Sequence, residues 1–345
     1  MLQAGYQCEG LTMLLDKSLD ASSSTAAAAS SMVAAASSTV AQEDALAVCR
    51  QLRIKHRLLD LSDVFHHQVV EPFVSAYLRG ETPNPCIDCN RLIKFGALLD
   101  YAREEGFDFL VTGHYARLDY DEGSQSYRLL KALDPAKDQS YVLYHLGQSE
   151  LAMLRFPLGG LTKSQVRRIA QAAQLPTADK EESQDICFIT GQDYKGFIHK
   201  YKKPGEGEIV DKNGEVLGYH QGISGFTIGQ RRGIGIATGH PMYVTGIDAL
   251  TNRITIGEEA DLYHIKALLR DFTSPRPDRL LPVMEVQAKF RYRTAGAPAR
   301  LVMFDDGRYE VQFYQPVKAL TPGQSMVCYQ DDEVVAGGVI AEVRG

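Results

Sequence analysis

The residues best suited to chemistry lie in a short stretch, TPNPCIDCNRLIK, at positions 82–94. Pro83 and Pro85 flank Asn84 and predict an extended, turned loop, with a helix expected to begin near Asn90. Cys86 and Cys89 stand in C-x-x-C spacing, followed by Arg91 and Lys94. A thiol at a helix N-terminus beside cations is expected to lose its proton readily and become a nucleophile. The pair admits a reactive thiolate, a dithiol redox couple or half of a metal site. Two small buried apolar side chains is the reading without chemistry. A second C-x-x-C, which a four-cysteine zinc site needs, is absent from the sequence. Cys187, in KEESQDICFIT (180–190), reads alone as a core cysteine at the edge of an apolar run. Together with Cys86 and Cys89 it opens two further options, an iron–sulfur cluster with one open iron or sulfur exchange between thiolate and persulfide.

Other polar groups are less specific. Gly113-His114-Tyr115 follows a short apolar run; the glycine permits close approach of a ligand, and His114 reads either as a phosphate or base donor or as a helix cap. Lys137-Asp138-Gln139-Ser140 reads as a polar loop and helix start, with Asp138 or Ser140 capping. Arg291-Tyr292-Arg293 is expected on a strand, both arginines on one face, suited to phosphate contacts and stacking on RNA or simply exposed. GQRRGIG (229–235) lacks the Gly-Lys-Ser/Thr end of a Walker loop and reads as structural, with an exposed basic pair.

The chain has 345 residues, 44% hydrophobic and 23% charged, with a formal net charge of −6. At about 100–200 residues per domain, two or three domains are expected. No run of about 18 apolar residues is present, so no membrane span is expected. The opening MLQAGYQCEG lacks the pattern of a secretory signal. Six cysteines are too few for a disulfide scaffold, which favours reduced thiols and a cytoplasmic location. The net charge excludes a strongly basic nucleic-acid coat and leaves room for a local basic groove.

Three zones must position these residues. From 1 to about 190, strands at 7–14, 56–61 and 109–112 alternate with helices at 43–52 and 92–104, which predicts a parallel α/β sheet with ligands beyond the strand carboxyl ends. Residues 21–40, ASSSTAAAASSMVAAASSTV, are low in complexity and read as a mobile surface segment in preference to a weak alanine-rich helix. From 195 to about 258, Asn213-Gly214 predicts a hairpin, and residues 248–252 separate MYVTGI from RITIG. From 259 to 345, VMEVQAKFRY, ARLVMF, YEVQFY, QSMVCYQ and EVVAGGVI, with turns between them, predict a small barrel or sandwich.

TPNPCIDCNRLIKF, VTGHYAR, KDQSYVLYHL, ICFI, GEIVDKNGEVLGYHQG, FTIGQRRGIG, FRYR and TPGQSMVCY occur in the order found in tRNA-specific 2-thiouridylases of the MnmA type. By these long and numerous motifs the sequence resembles that family from about residue 2 to 345. The resemblance implies a Rossmann-like adenine-nucleotide α-hydrolase (PP-loop) domain at 1–194, a central domain at 195–258 and a C-terminal tRNA-binding β-barrel at 259–345. It implies ATP, with Mg2+, adenylating the wobble uridine of tRNA so that sulfur replaces its C2 oxygen. Cys89 would be the nucleophile and Cys187 the persulfide carrier, with a disulfide between them in the cycle. Asn84, Pro85 and Cys86 would surround the base. Many relatives carry aspartate in the place of Cys86, so an acid–base role there does not transfer. Three cysteines instead raise a [4Fe–4S] alternative with Cys86, Cys89 and Cys187 as ligands. Met13 and Gly113 would contact ATP. His114, Lys137, Asp138, Gln139, Arg291, Tyr292 and Gln324 would face tRNA. The implied partners are tRNA and a persulfide donor, either a sulfur-relay protein or a cysteine desulfurase; no membrane is involved.

One departure stands out. The family's SGGxDSS phosphate loop, whose amides hold pyrophosphate, has no counterpart in the sequence, and LQAGY (2–6) matches the end of the helix that should follow it. The expectation is a natural start further upstream, with the 345-residue chain itself inactive and poorly stable. The alternatives are a catalytically defective tRNA-binding remnant and, more remotely, a dithiol oxidoreductase built on the C-x-x-C.

Overall fold

The structure is a computed structural model that describes residues 1–16, 29–180, 186–189, 193–202, 205–237 and 239–345. The chain divides into two compact units, one of residues 1–71 with 161–194, the other of residues 72–160 with 195–345.

In the first unit, strand β1 (Glu9–Leu14) pairs in parallel with β2 (Lys55–Asp60), Met13 lying opposite Leu59. A parallel pair requires a crossover, and the helix Ala29–Leu52 supplies it. The later part of the low-complexity run is therefore helical, the weaker of the two readings made from sequence; alanine, the strongest helix former, accounts for this. Positions 21–28 of that run lie outside the described residues. Arg57 donates to Glu9 at 2.6 Å and holds its carboxyl below the usual range. The helix Lys163–Ala172 begins with a capping box, Thr162 accepting from the Gln165 amide.

In the second unit, residues 85–104 form a continuous helical segment: a first turn Pro85–Asp88, a π-helical stretch Cys89–Ala97 and a last part Leu98–Glu104. It begins five residues before the expected start. Proline is tolerated at the first helical position, and the Asn84 side chain caps the turn. β3 (Leu110–Val111) pairs in parallel with β6 (Leu154–Arg155). Between them lies a hairpin, β4 (Ala116–Asp121) and β5 (Ser126–Lys131), which the helix–strand alternation read for this zone did not include.

A four-stranded sheet follows, made of β7 (Gly207–Val210), β8 (Val216–His220), β9 (Tyr243–Asp248) and β10 (Arg253–Gly257), in the order β8-β7-β10-β9. Gly214, at φ 86°, makes the expected hairpin turn. The C-terminal strands are β11 (Tyr263–Thr273), β12 (Val283–Lys289), β13 (Ala297–Met303), β14 (Tyr309–Lys318), β15 (Ser325–Gln330) and β16 (Glu333–Arg344). They close into a barrel, β11-β14-β13-β12-β15-β16 and back to β11, and the β4–β5 hairpin joins its β16 edge. β11 was not legible because YHIKALLRDFT does not alternate cleanly.

β15 fixes where the site lies. Met326 and Cys328 point into the barrel core with Val286, Leu301 and Ile340. Val327 and Tyr329 point outward into a second core with Leu99, Leu129, Tyr141, Leu143 and Leu154. A strand buried on both faces reads as a continuous apolar run. The outer face of this one seats the Tyr141 segment and, through Leu99, the cysteine-bearing helix against the barrel wall.

Candidate functional site

The cysteine turn is held from both ends. Before it, the Thr82 amide donates to the Pro322 carbonyl at 2.9 Å, and Gln324 Nε2 donates to the Thr82 carbonyl at 2.7 Å. The TPG turn at 321–323 thus clamps the TPNP segment. Gly323 permits this: at φ 88° a Cβ would meet the Thr82 nitrogen and the Glu81 Cβ, each at 2.8 Å. Asn84 Oδ1 accepts from the Cys86 amide at 3.2 Å. After the turn, buried Asn90 donates to the Val142 carbonyl at 3.1 Å.

Cys86 is exposed on the first helical turn and Cys89 is buried one turn later. Protein packed around Cys86 pushes its thiol above the ordinary range, and Lys94 pulls only weakly the other way. This corrects the expectation that helix and cations would make that thiol acidic: desolvation of the thiolate outweighs one flanking charge. All six cysteines are free thiols, so the pair is not bridged. Burial pushes Cys328, inside the barrel, to about 12, and Cys49 is a buried core thiol.

The 137–140 segment is turned inward. Asp138, buried, accepts from the Ala132 amide (2.9 Å), the Ser140 amide (3.2 Å) and the Ser140 hydroxyl (2.9 Å). Gln139 Oε1 accepts from the Tyr115 amide at 2.9 Å. These two side chains order the loop, and Lys137, partly exposed, shares it. The fully buried Tyr141, which sequence reasoning did not single out, donates its hydroxyl to the Ser325 carbonyl at 2.7 Å and packs its ring 6.2 Å from Tyr292.

Arg291 and Tyr292 lie in the turn after β12, which ends at Lys289. The expectation of a strand with Arg291 and Arg293 on one face is corrected; backbone pairing to β13 stops at Ala288. Arg291 donates to the Ala319 carbonyl at 2.9 Å. A Cβ at Gly229 of the GQRRG loop would meet Ala319 Cβ at 2.9 Å, so this loop packs on the same corner, while Arg231 and Arg232 remain exposed as read from the sequence. Lys289, also missed, lies 5.6 Å from the Tyr141 ring and 5.7 Å from the exposed Tyr292 ring. Burial lowers its pKa, opposed by Asp138. Its position directly before FRYR was the available signal.

His114 is buried beside Phe95 and Phe156, at 5.6 and 6.0 Å, with Nδ1 2.9 Å from the Thr112 hydroxyl. Burial, with Lys94 adding to it, lowers its pKa to about 3, so it is a neutral wall of the site. His145 is likewise pushed to about 3 by burial, helped by Arg91 and His114. Gly113 follows the carboxyl end of β3, and a Cβ there would touch only Leu158, at 3.7 Å.

In the first unit, Met13 is the penultimate residue of β1. Cys187 is exposed in a loop whose neighbours hold it: Phe188 packs edge-on to Phe65 at 5.5 Å and Ile189 is buried.

Three domain families match in order: the tRNA methyl transferase HUP domain over residues 1–191, the tRNA methyl transferase PRC-barrel domain over 195–258 and the aminomethyltransferase beta-barrel domain over 268–340. A HUP domain followed by two barrel-type modules defines the class. Among its relatives are proteins named tRNA-specific 2-thiouridylase MnmA 2 from Thermoanaerobacter sp. (strain X514), 43% identical over 87% of this chain and 83% of the relative, and tRNA-specific 2-thiouridylase MnmA from Syntrophomonas wolfei, 45% identical over 87% and 88%, and from Gloeothece citriformis, 43% identical over 97% and 93%. The chain belongs to the tRNA-specific 2-thiouridylase family.

Proposed function

We propose that the protein transfers sulfur to C2 of the wobble uridine of tRNA, in the cytoplasm, with ATP and Mg2+ as co-reactants. The observation that carries this reading is the fastening of the PNPC turn, the Lys137–Tyr141 segment and the Arg291–Tyr292 turn to one wall of the barrel in a chain of this family. The exposed Tyr292 ring offers a stacking surface for a nucleotide, and Lys289 beside it offers positive charge. Asn84, Pro85 and Cys86 are the residues that would surround the target base, with Cys86 exposed and Pro85 buried, and Gln324 holds their turn through Thr82.

ATP supplies the leaving group by activating the uridine C2 oxygen. Met13 and Gly113, each at the carboxyl end of a parallel strand, where nucleotides bind in such sheets, are the residues that would meet it. Cys187, exposed, takes the terminal sulfur from a donor persulfide, and the donor departs as a thiol. The donor is a sulfur-relay protein or a cysteine desulfurase. The terminal sulfur attacks C2, AMP departs with the former C2 oxygen, and Cys89 attacks the Cys187 sulfur, breaking its bond to the outer sulfur, which stays on C2. The disulfide so formed is reset by two external thiols or one dithiol, which supply two electrons and leave as a disulfide.

The test incubates the purified chain with ATP, Mg2+, a tRNA transcript and a persulfide donor, reading 2-thiouridine by mass spectrometry and tRNA binding in the same samples. The sulfur-transfer reading predicts thiolation that Cys89→Ser and Cys187→Ser abolish, and such thiolation would overturn the expectation that these 345 residues are inactive by themselves. A second reading, a tRNA-binding remnant, is kept because no SGGxDSS stretch occurs among the 345 residues; it predicts binding without thiolation. Neither binding nor thiolation refutes both. Iron–sulfur absorbance after anaerobic reconstitution, lost in Cys86→Ala, would replace the persulfide route with a cluster.

A further inference from the structure

The helical stretch before the cysteine turn carries a cluster with no part in the chemistry above. Residues His66–Val70 form a π-helical turn, in which the Glu71 amide donates to the His66 carbonyl five residues back. In an α-helix, residues 66 and 71 would diverge, since only positions three and four apart face each other. The wider turn brings them together. Glu71 then serves two rings at once, its Oε1 lying 3.3 Å from His66 Nδ1 and 3.2 Å from His67 Nδ1. The rings stand edge to face with centroids 5.6 Å apart. All three side chains are exposed, and their ligand atoms lie within 4.8 Å of one another.

These separations, which serve Glu71 as contacts to both rings, also fit a metal. A tetrahedral ion bound at about 2.0–2.1 Å to nitrogen and oxygen has ligand–ligand edges of roughly 3.3 Å. Both nitrogen–oxygen edges already have that length. Two imidazoles and one carboxylate suit a first-row divalent ion of borderline softness and leave at least one position for water. Hard ions that want only oxygen donors are poorly served.

We propose that His66, His67 and Glu71 form a surface site for a divalent transition-metal ion of the zinc class, separate from the sulfur-transfer cysteines. Ligation replaces the hydrogen-bonded contacts of Glu71: both Nδ1 atoms and Oε1 turn their lone pairs to the ion, and any proton between them goes to solvent.

The probes are Co2+ and Zn2+ added to the full chain after its accessible thiols have been alkylated, so that cysteine ligation does not contribute. The expected result is one Co2+ per chain, with ligand-field absorption, no thiolate-to-cobalt charge-transfer band, and displacement by Zn2+. His67→Ala and, independently, the size-conserving Glu71→Gln each weaken binding by about tenfold or more. Circular dichroism of the metal-free variants matching the parent chain assigns the loss to ligation and not to unfolding. Failure of the alkylated chain to bind Co2+, or affinity unchanged in both variants, overturns the proposal.

Discussion

Replacing Gly323 with alanine tests the clamp that positions the cysteine turn. Two costs add. At φ 88° an L-residue is in the left-handed region, which costs about 1–2 kcal/mol. The new Cβ would also stand 2.8 Å from the Thr82 nitrogen and 3.2 Å from its carbonyl carbon. These are backbone atoms tied by hydrogen bonds to Pro322 and Gln324, so they cannot swing aside, and overpacking of this kind costs about 1–3 kcal/mol. The expected loss is therefore about 2–5 kcal/mol. Gly307 provides the control: its φ is 81°, yet nothing lies within 4 Å of its virtual Cβ. Gly307→Ala should lose only the backbone share, about 1–2 kcal/mol. Urea unfolding of both variants gives the difference. In parallel, the labelling rate of buried Cys89 by an aromatic disulfide should rise in Gly323→Ala alone, because the steric push falls on residues 81–82. Equal stabilities in the two variants, with Cys89 labelling unchanged, would refute the clamp.

Three more expectations can be measured in the same way. Asp138→Ala strips three accepted hydrogen bonds from a buried loop and should cost on the order of 3 kcal/mol in urea unfolding, with Asp138→Asn milder. Arg276, buried between Asp121 (3.3 Å) and Glu333 (3.1 Å), should cost about 3 kcal/mol as alanine and less as methionine, which fills the space; equal losses would show that charge, not packing, holds that corner. His145 has a folded pKa of about 3 against an ordinary 6.5, so the unfolded chain binds the extra proton between those values. Stability from its neutral ring is full above pH 6.5 and falls as pH drops toward 3, by at most about 1.4 kcal/mol per pH unit; His145→Leu should flatten the profile measured from pH 6.5 to 4.5.

Much of this architecture can be read from local sequence. The Asn213-Gly214 hairpin, the later barrel strands and the β1–helix–β2 crossover follow from turn chemistry and alternation. What escaped depends on distant partners. The β4–β5 hairpin looked like part of an α/β alternation because its pairing to β16 is invisible to a local window. Asp138 and Gln139 are polar residues in a polar loop, and their inward turn follows from amides at 132 and 115 that no spacing reveals. The cysteine pair was found from its spacing, but the acidity of Cys86 was misjudged because desolvation is set by the packed fold. Tyr141 and Lys289 carry no motif of their own; they matter because β15 is buried on both faces.

The β5–β16 junction has a consequence for synthesis on the ribosome. Lys131 donates its amide to the Asp332 carbonyl at 2.8 Å, and Arg117 pairs with the Asp332 carboxylate at 2.7 Å. The hairpin thus waits for a partner about 200 residues downstream, an interval of roughly 10–40 s at ordinary elongation rates. Until then its strand edge has no template, and the outer core around Leu129 lacks Val327, Tyr329 and Val334. Loss of Glu333–Arg344, which form β16, would leave that nascent edge open. β16 is therefore the element whose arrival closes the barrel against β11 and gives the β4–β5 hairpin its partner.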